Sequence, residues 1–140
     1  MEKEIRKWVK ALRSGKYKQG NGRLETEDGF CCLGVACKVF IPKSEQFTDS
    51  NGKLDGWFPS AQSNAPEWLK NINHDFEGIV DSPDAVNITK NKTRKHVTLP
   101  ELNDMYNFSF DEIADLLEAV YIYKVFDVIS TIKEQCVLSI

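Results

Sequence analysis

Apolar residues recur along this chain with a helical period in some stretches and in short β-branched pairs in others. Ile5, Trp8, Val9 and Leu12 fall at i, i+3, i+4 and i+7, which predicts a short amphipathic helix over 4–12. Ser14-Gly15 should end it, since glycine suits the left-handed position past a helix. The polar, glycine-rich run 16–23 reads as a loop. Residues 23–26 and 30–33 suggest a hairpin about Glu27-Asp28-Gly29, and the apolar run 33–40 suits helix or strand equally before Ile41-Pro42 stops it. Residues 43–63 carry the turn signals Asn51-Gly52 and Asp55-Gly56, with Trp57-Phe58 expected to anchor the loop.

Further along, Asn64-Ala-Pro-Glu67 predicts a capped helix through Trp68 and Leu69. The pairs Ile79-Val80, Val86-Asn-Ile88 and His96-Val97 predict short antiparallel strands about a turn at Lys90-Asn91. Two capping boxes, Thr98-Leu-Pro-Glu101 and Ser109-Phe-Asp-Glu112, open two more helices. The second should be the longest. Ile113, Leu116, Leu117 and Val120 share one face, and Ile122, Val125, Phe126, Ile129, Ile132 and Cys136 continue the spacing, although 121–129 is also rich in strand formers. The fold expected is α+β, a small antiparallel sheet with short helices and a long C-terminal helix, in a single domain over 1–140. The apolar C-terminal segment either completes the core or packs on a second subunit, and we expect a homo-oligomer.

At 140 residues, 41% hydrophobic and 28% charged, the chain is long enough and apolar enough to bury a core. No apolar run approaches the ~20 residues of a membrane span, and the N-terminus, charged from Glu2, has no apolar leader region. A soluble, cytoplasmic protein without membrane partners is therefore expected. Cys31, Cys32, Cys37 and Cys136 have neither the spacing nor the nearby histidine of a zinc site, so no metal and no cofactor is expected, and the thiols read as buried hydrophobes.

Charge is uneven under a net −3. Residues 1–23 hold eight Lys/Arg against two Glu, a balance of +6; 24–89 hold four against eleven, −7; 90–100 hold four and no acid, +4; 101–140 hold two against eight, −6. Two basic segments on an acidic chain suit a local anion site, or faces that pair within the fold; a nucleic-acid coat would be basic throughout, so nucleic acid is not an expected partner. Ser109–Leu117 is similar to the first helix of a helix-turn-helix, but no tight turn or basic second helix follows.

Catalytic patterns are missing. The histidines, His74 and His96, form no metal-binding pair, and apolar surroundings raise rather than lower a thiol's pKa. No enzyme activity is expected. Arg13, Lys16, Tyr17 and Gln19 instead combine a guanidinium, a point charge, a ring and an amide, the ingredients of a nucleotide site; an ordinary solvated helix-end loop has the same composition. Asn103 and Asp104 suit either ligand edges or local capping.

Several segments taken together resemble an uncharacterised family of small proteins encoded by phages and prophages: Trp8-x-x-Ala-Leu-Arg-Ser-Gly15-x-Tyr17-x-Gln-Gly20, Gly29-Phe-Cys-Cys-Leu-Gly-Val-x-Cys37, Glu67-Trp68, Leu102-Asn-Asp104 and Ser109-Phe-x-Glu-Ile-Ala-Asp115. Cys-Cys-Leu-Gly-Val is the most specific part, and the segment after Asp115 is longer than the family's pattern. The resemblance implies a phage protein acting in the cytoplasm of an infected bacterium. It implies an anti-defence role, binding and sequestering a nucleotide immune signal of the cyclic ADP-ribose or cyclic oligonucleotide type without cleaving it. Arg13 and Lys16 would hold phosphate, Tyr17 and Trp57 would stack on a base, Gln19, Asn103 and Asp104 would read its edges, and Arg94 would add a further phosphate contact. The alternative is an inhibitor that docks on a host defence enzyme through its acidic C-terminal half.

Overall fold

The computed structural model describes residues 1–72, 76–79 and 94–123, with 76–79 and 94–97 through their backbone alone. Helix α1 spans Glu2–Arg13, with Ile5, Trp8, Val9 and Leu12 buried as the spacing predicts. Gly15 follows in the left-handed region (φ 75°). A two-residue hairpin pairs β1 (Glu25–Thr26) with β2 (Gly29–Phe30), Glu25 opposite Phe30. It is shorter than expected because the chain turns into helix α2 (Cys32–Phe40) at once. The helix reading of 33–40 prevails for a local reason. The Cys31 sulfur accepts the Gly34 N–H and caps the first turn, which an extended strand would not need. A 3-10 turn at Lys43–Glu45 leads into the loop, then come α3 (Glu67–Ile72), the antiparallel pair β3 (Phe76–Ile79) and β4 (Arg94–Val97), α4 (Leu99–Asp104) and α5 (Phe110–Tyr121). The architecture is α+β.

The core lies where α1 packs on α5 and α2 packs on α1 and α4. Trp8 is fully buried, and its indole N–H donates to the Cys32 carbonyl at 3.1 Å. It meets Trp68 edge-on, and Trp68 meets Phe40 edge-on, so α3 is tied in through aromatic edges. Ile113, Ala114, Leu116 and Leu117 of α5 close the other side. The capping box forms in full at Ser109; at Thr98 the side chain caps α4 as predicted, but the Glu101 carboxylate accepts from the Thr98 hydroxyl instead of returning to its backbone N–H. Asn64 is not a cap, however: its amide donates to the Glu45 carbonyl at 2.9 Å and staples the loop instead. Of the expected Trp57-Phe58 anchor, Trp57 is 56% exposed and does not serve, while Phe58 packs partly buried against the core. Buried Gln62 ties the loop further, donating to the Phe47 and Asp55 carbonyls and accepting from the Phe47 N–H.

The Cys-Cys-Leu-Gly-Val segment is explained residue by residue. Cys31 caps α2, Cys32, Leu33 and Val35 fill the core, and Gly34 lies against the backbone before the hairpin. A Cβ on Gly34 would come within 2.0 Å of the Leu24 carbonyl oxygen. Helix α5 ends at Tyr121; the expected continuation beyond 123, the strand pair about 86–88, the turn at Lys90-Asn91, His74 and Cys136 lie outside the described residues. No helix among the described residues is long and apolar enough to cross a membrane. Replacing Gly34 with alanine forces α2 away from Leu24, and we expect a loss on the order of 3 kcal/mol in urea unfolding, with the slope unchanged.

Candidate functional site

The loop after α1 is held as a third, irregular strand beside the hairpin. The Phe30 N–H donates to the Lys18 carbonyl at 2.8 Å, and the Gly20 N–H donates to the Phe30 carbonyl at 2.7 Å. Side chains cannot fit on this seam, because a Cβ on Gly29 would lie 2.3 Å from the Lys18 carbonyl oxygen. The seam presents the Gln19 side chain to the junction of α4 and α5. There its Nε2 donates to Asn103 Oδ1 and to the Phe108 carbonyl, both at 2.8 Å, and its Oε1 accepts the Phe110 N–H at 3.1 Å. Asn103, only 1% exposed, donates in turn to the Gly20 carbonyl and to Asp104 Oδ1, each at 2.8 Å. One amide pair thus joins three segments distant in sequence.

Beside this pair is a polar cleft of about 310 Å³ lined by Gln19, Asn21, Asn103, Asn107, Phe108 and Ser109. Among the described residues no lysine or arginine lines it, and of the nearby acidic residues Asp104 adjoins Asn103 in sequence while Asp111 and Glu112 follow Ser109 by two and three positions. Asn107 holds a left-handed backbone (φ 56°), a conformation that asparagine tolerates better than most residues. Its exposed amide makes no hydrogen bond among the described residues. The cleft lies at the small end of the 300–1,000 Å³ range of ligand sites, so it fits a single base or sugar rather than a whole dinucleotide.

The structure brings Gln19 and Asn103 together and puts Asp104 beside them. Tyr17 is half-buried, edge-on to Phe30 at 5.4 Å, with the Lys16 ammonium 5.5 Å from its ring. Arg13 belongs to another face. It pairs with Asp115 and Glu118 of α5, so its charge is matched within the fold, as the alternative reading of the charge pattern supposed. Trp57 is exposed on the 46–62 loop and is not among the residues lining the cleft. Arg94 is on β4, and its side chain lies outside the described residues. Asn21, Asn107 and Ser109 were not singled out in the sequence. The one signal that could have found Asn107 is an asparagine placed between two capping boxes, where a left-handed turn is needed.

A family model described as a domain of unknown function, DUF8296, matches residues 1–121. The chain belongs to the DUF8296 family. No curated protein and no solved structure matches it. The match ends at the last residue of α5, so the DUF8296 region includes the whole amide pair and the cleft.

Cys31, Cys32 and Cys37 of this DUF8296 chain are free thiols. Burial pushes Cys31 up to about 11 and Cys37 up to about 12, and Cys32, fully buried, is raised as well. A thiolate nucleophile is therefore not available at neutral pH from these three. No group of three or more potential metal ligands occurs among the described residues.

Two outcomes follow from this geometry. Gln19→Ala leaves Asn103 Oδ1, the Phe108 carbonyl and the Phe110 N–H without their partner, and chemical unfolding should register a loss of about 2–3 kcal/mol. In a Cys136→Ser background, Cys31, Cys32 and Cys37 should resist a thiol reagent at pH 8 until denaturant is added. Unfolded thiols ionise near 9.0 while folded Cys31 keeps its proton to about 11. The unfolded state binds fewer protons in that window, so stability should fall as pH rises through it and be unaffected by these thiols below it.

Proposed function

We propose that this DUF8296 protein binds a nucleotide-type immune signal and sequesters it without cleaving it, serving a phage inside an infected bacterium. The observation that carries the reading is the polar cleft at the Gln19–Asn103 pair, walled by carboxamides and a hydroxyl and of a size to take one base. Such groups orient a ligand without attacking it, and the described cysteines are protonated, which favours holding over turnover. The phage setting rests on the resemblance of the Cys-Cys-Leu-Gly-Val and Gln-Gly segments to phage-encoded proteins.

The roles differ from those first expected. Gln19 and Asn103 form the wall through which a base is read, while Arg13 is engaged by Asp115 and Glu118 and is not assigned to phosphate. Lys16 and Lys18, both exposed on the loop that carries Gln19, take over that role. The remainder of a cyclic signal then lies outside the cleft.

A thermal-shift panel of cyclic ADP-ribose isomers and cyclic di- and trinucleotides tests this. Ligand at 100 times its dissociation constant should add about 2.7 kcal/mol to the folded state. Ligand recovered intact by chromatography is the expected result. Recovery as fragments would make the protein an enzyme, and a flat panel would remove the reading.

A further inference from the structure

Hydrogen-bond capacity at the cleft is lopsided. A carboxamide has two N–H donors and an oxygen with two lone pairs. Gln19 uses both donors on Asn103 Oδ1 and the Phe108 carbonyl, but its oxygen accepts only the Phe110 N–H. Asn103 uses both donors on the Gly20 carbonyl and Asp104, but its oxygen accepts only from Gln19. In the amide orientation that satisfies both of its ends, Asn21 donates to the Asn103 and Gly20 carbonyls at 3.2 Å each. Three of the four carboxamides therefore have their N–H groups engaged by the protein. What half-buried Gln19 has left is acceptor capacity, whereas Asn103, 1% exposed, serves to fix the Gln19 amide in that orientation. The free donors are the Asn107 amide and the Ser109 hydroxyl, whose oxygen already accepts the Glu112 N–H.

Charge points the same way. Among the described residues no cation lines the cleft, and Asp104 is hydrogen-bonded to its buried asparagine. A phosphate brought here would meet lone pairs and no described positive charge. A group with N–H donors would meet partners.

We infer that the cleft takes the amino edge of a heteroaromatic base, with the exocyclic amine donating to the Gln19 oxygen and a ring nitrogen accepting from Asn107. This inference rests on the proposed nucleotide-binding reading and specifies which end of the nucleotide enters. Adenine has that edge, an amine beside a ring-nitrogen acceptor, the same pattern that asparagine reads in two-point contacts to adenine elsewhere. A 6-oxo purine offers an oxygen where the wall needs a donor, and an unsubstituted purine offers nothing there.

The test uses adenosine, purine riboside (the same nucleoside without the amine) and inosine, each titrated into the full chain and followed by ligand-observed NMR up to millimolar concentration. Adenosine should bind at least tenfold more tightly than either of the others. Asn107→Gly keeps the left-handed backbone and removes only the amide; it should weaken adenosine severalfold while the melting midpoint holds. Purine riboside or inosine binding as tightly as adenosine would overturn the inference while leaving nucleotide binding in place. Adenosine affinity unchanged in Asn107→Gly would overturn the assigned pose. No binding of any nucleoside would remove both the inference and the reading it rests on.

Discussion

The Gln19 carboxamide is the constraint on which the other features of this site depend. It is one side chain meeting three backbone or amide partners drawn from α4, the turn after it and the first residue of α5. A half-buried amide gains little from each bond over what water would offer, but leaving its partners unmet costs the full desolvation of each. The pairing therefore acts less as a source of stability than as a condition on geometry. The loop after α1 must lie on the hairpin, the turn at Asn107 must be left-handed, and α5 must start where Ser109 can cap it. The cleft is the space left when all three hold.

The glycines around it serve the same end. Gly29 and Gly34 are placed where backbone meets backbone, one under the Lys18 carbonyl and one under the Leu24 carbonyl. Without them neither the irregular strand carrying Gln19 nor the start of α2 could approach the hairpin. The paired cysteines fit this close packing. Cys31 uses its sulfur as a helix cap, and Cys32 directs its thiol to the Leu99 carbonyl, so both behave as compact, weakly polar core residues.

Helices were legible where a pattern repeats. The four apolar positions of α1 and the caps at Thr98 and Ser109 were readable because periodicity and cap chemistry are local. The hairpin was readable at its Asp-Gly turn, but its length was not, because the helix that cuts it short depends on a sulfur cap that propensity does not encode. The loop's anchor was read in part: of the two neighbouring rings Phe58 reaches the core and Trp57 does not, and Gln62 went unnoticed because its value lies in carbonyls several residues away. The candidate site failed in the same manner. Gln19 and Asn103 stood out as polar residues, but composition cannot say whether an amide faces a ligand or another amide 84 positions along the chain. Arg13 looked free because its carboxylate partners come from the distant, acidic end of the chain.

That last pairing has a topological meaning. Arg13 and Asp115 are 102 positions apart, yet α1 and α5 form the main helix contact of the fold. Nearly all of the intervening chain is thus enclosed in one large loop closed by those two helices. Until α5 has been synthesised, the part of the α1 face that packs on α5 stays uncovered even with α2 in place, so the first helix made is among the last to be fully packed. Once closed, the loop tolerates length. The entropic cost of closure rises only logarithmically with the number of residues enclosed, so lengthening the stretch between α2 and α4 would cost the clamp little.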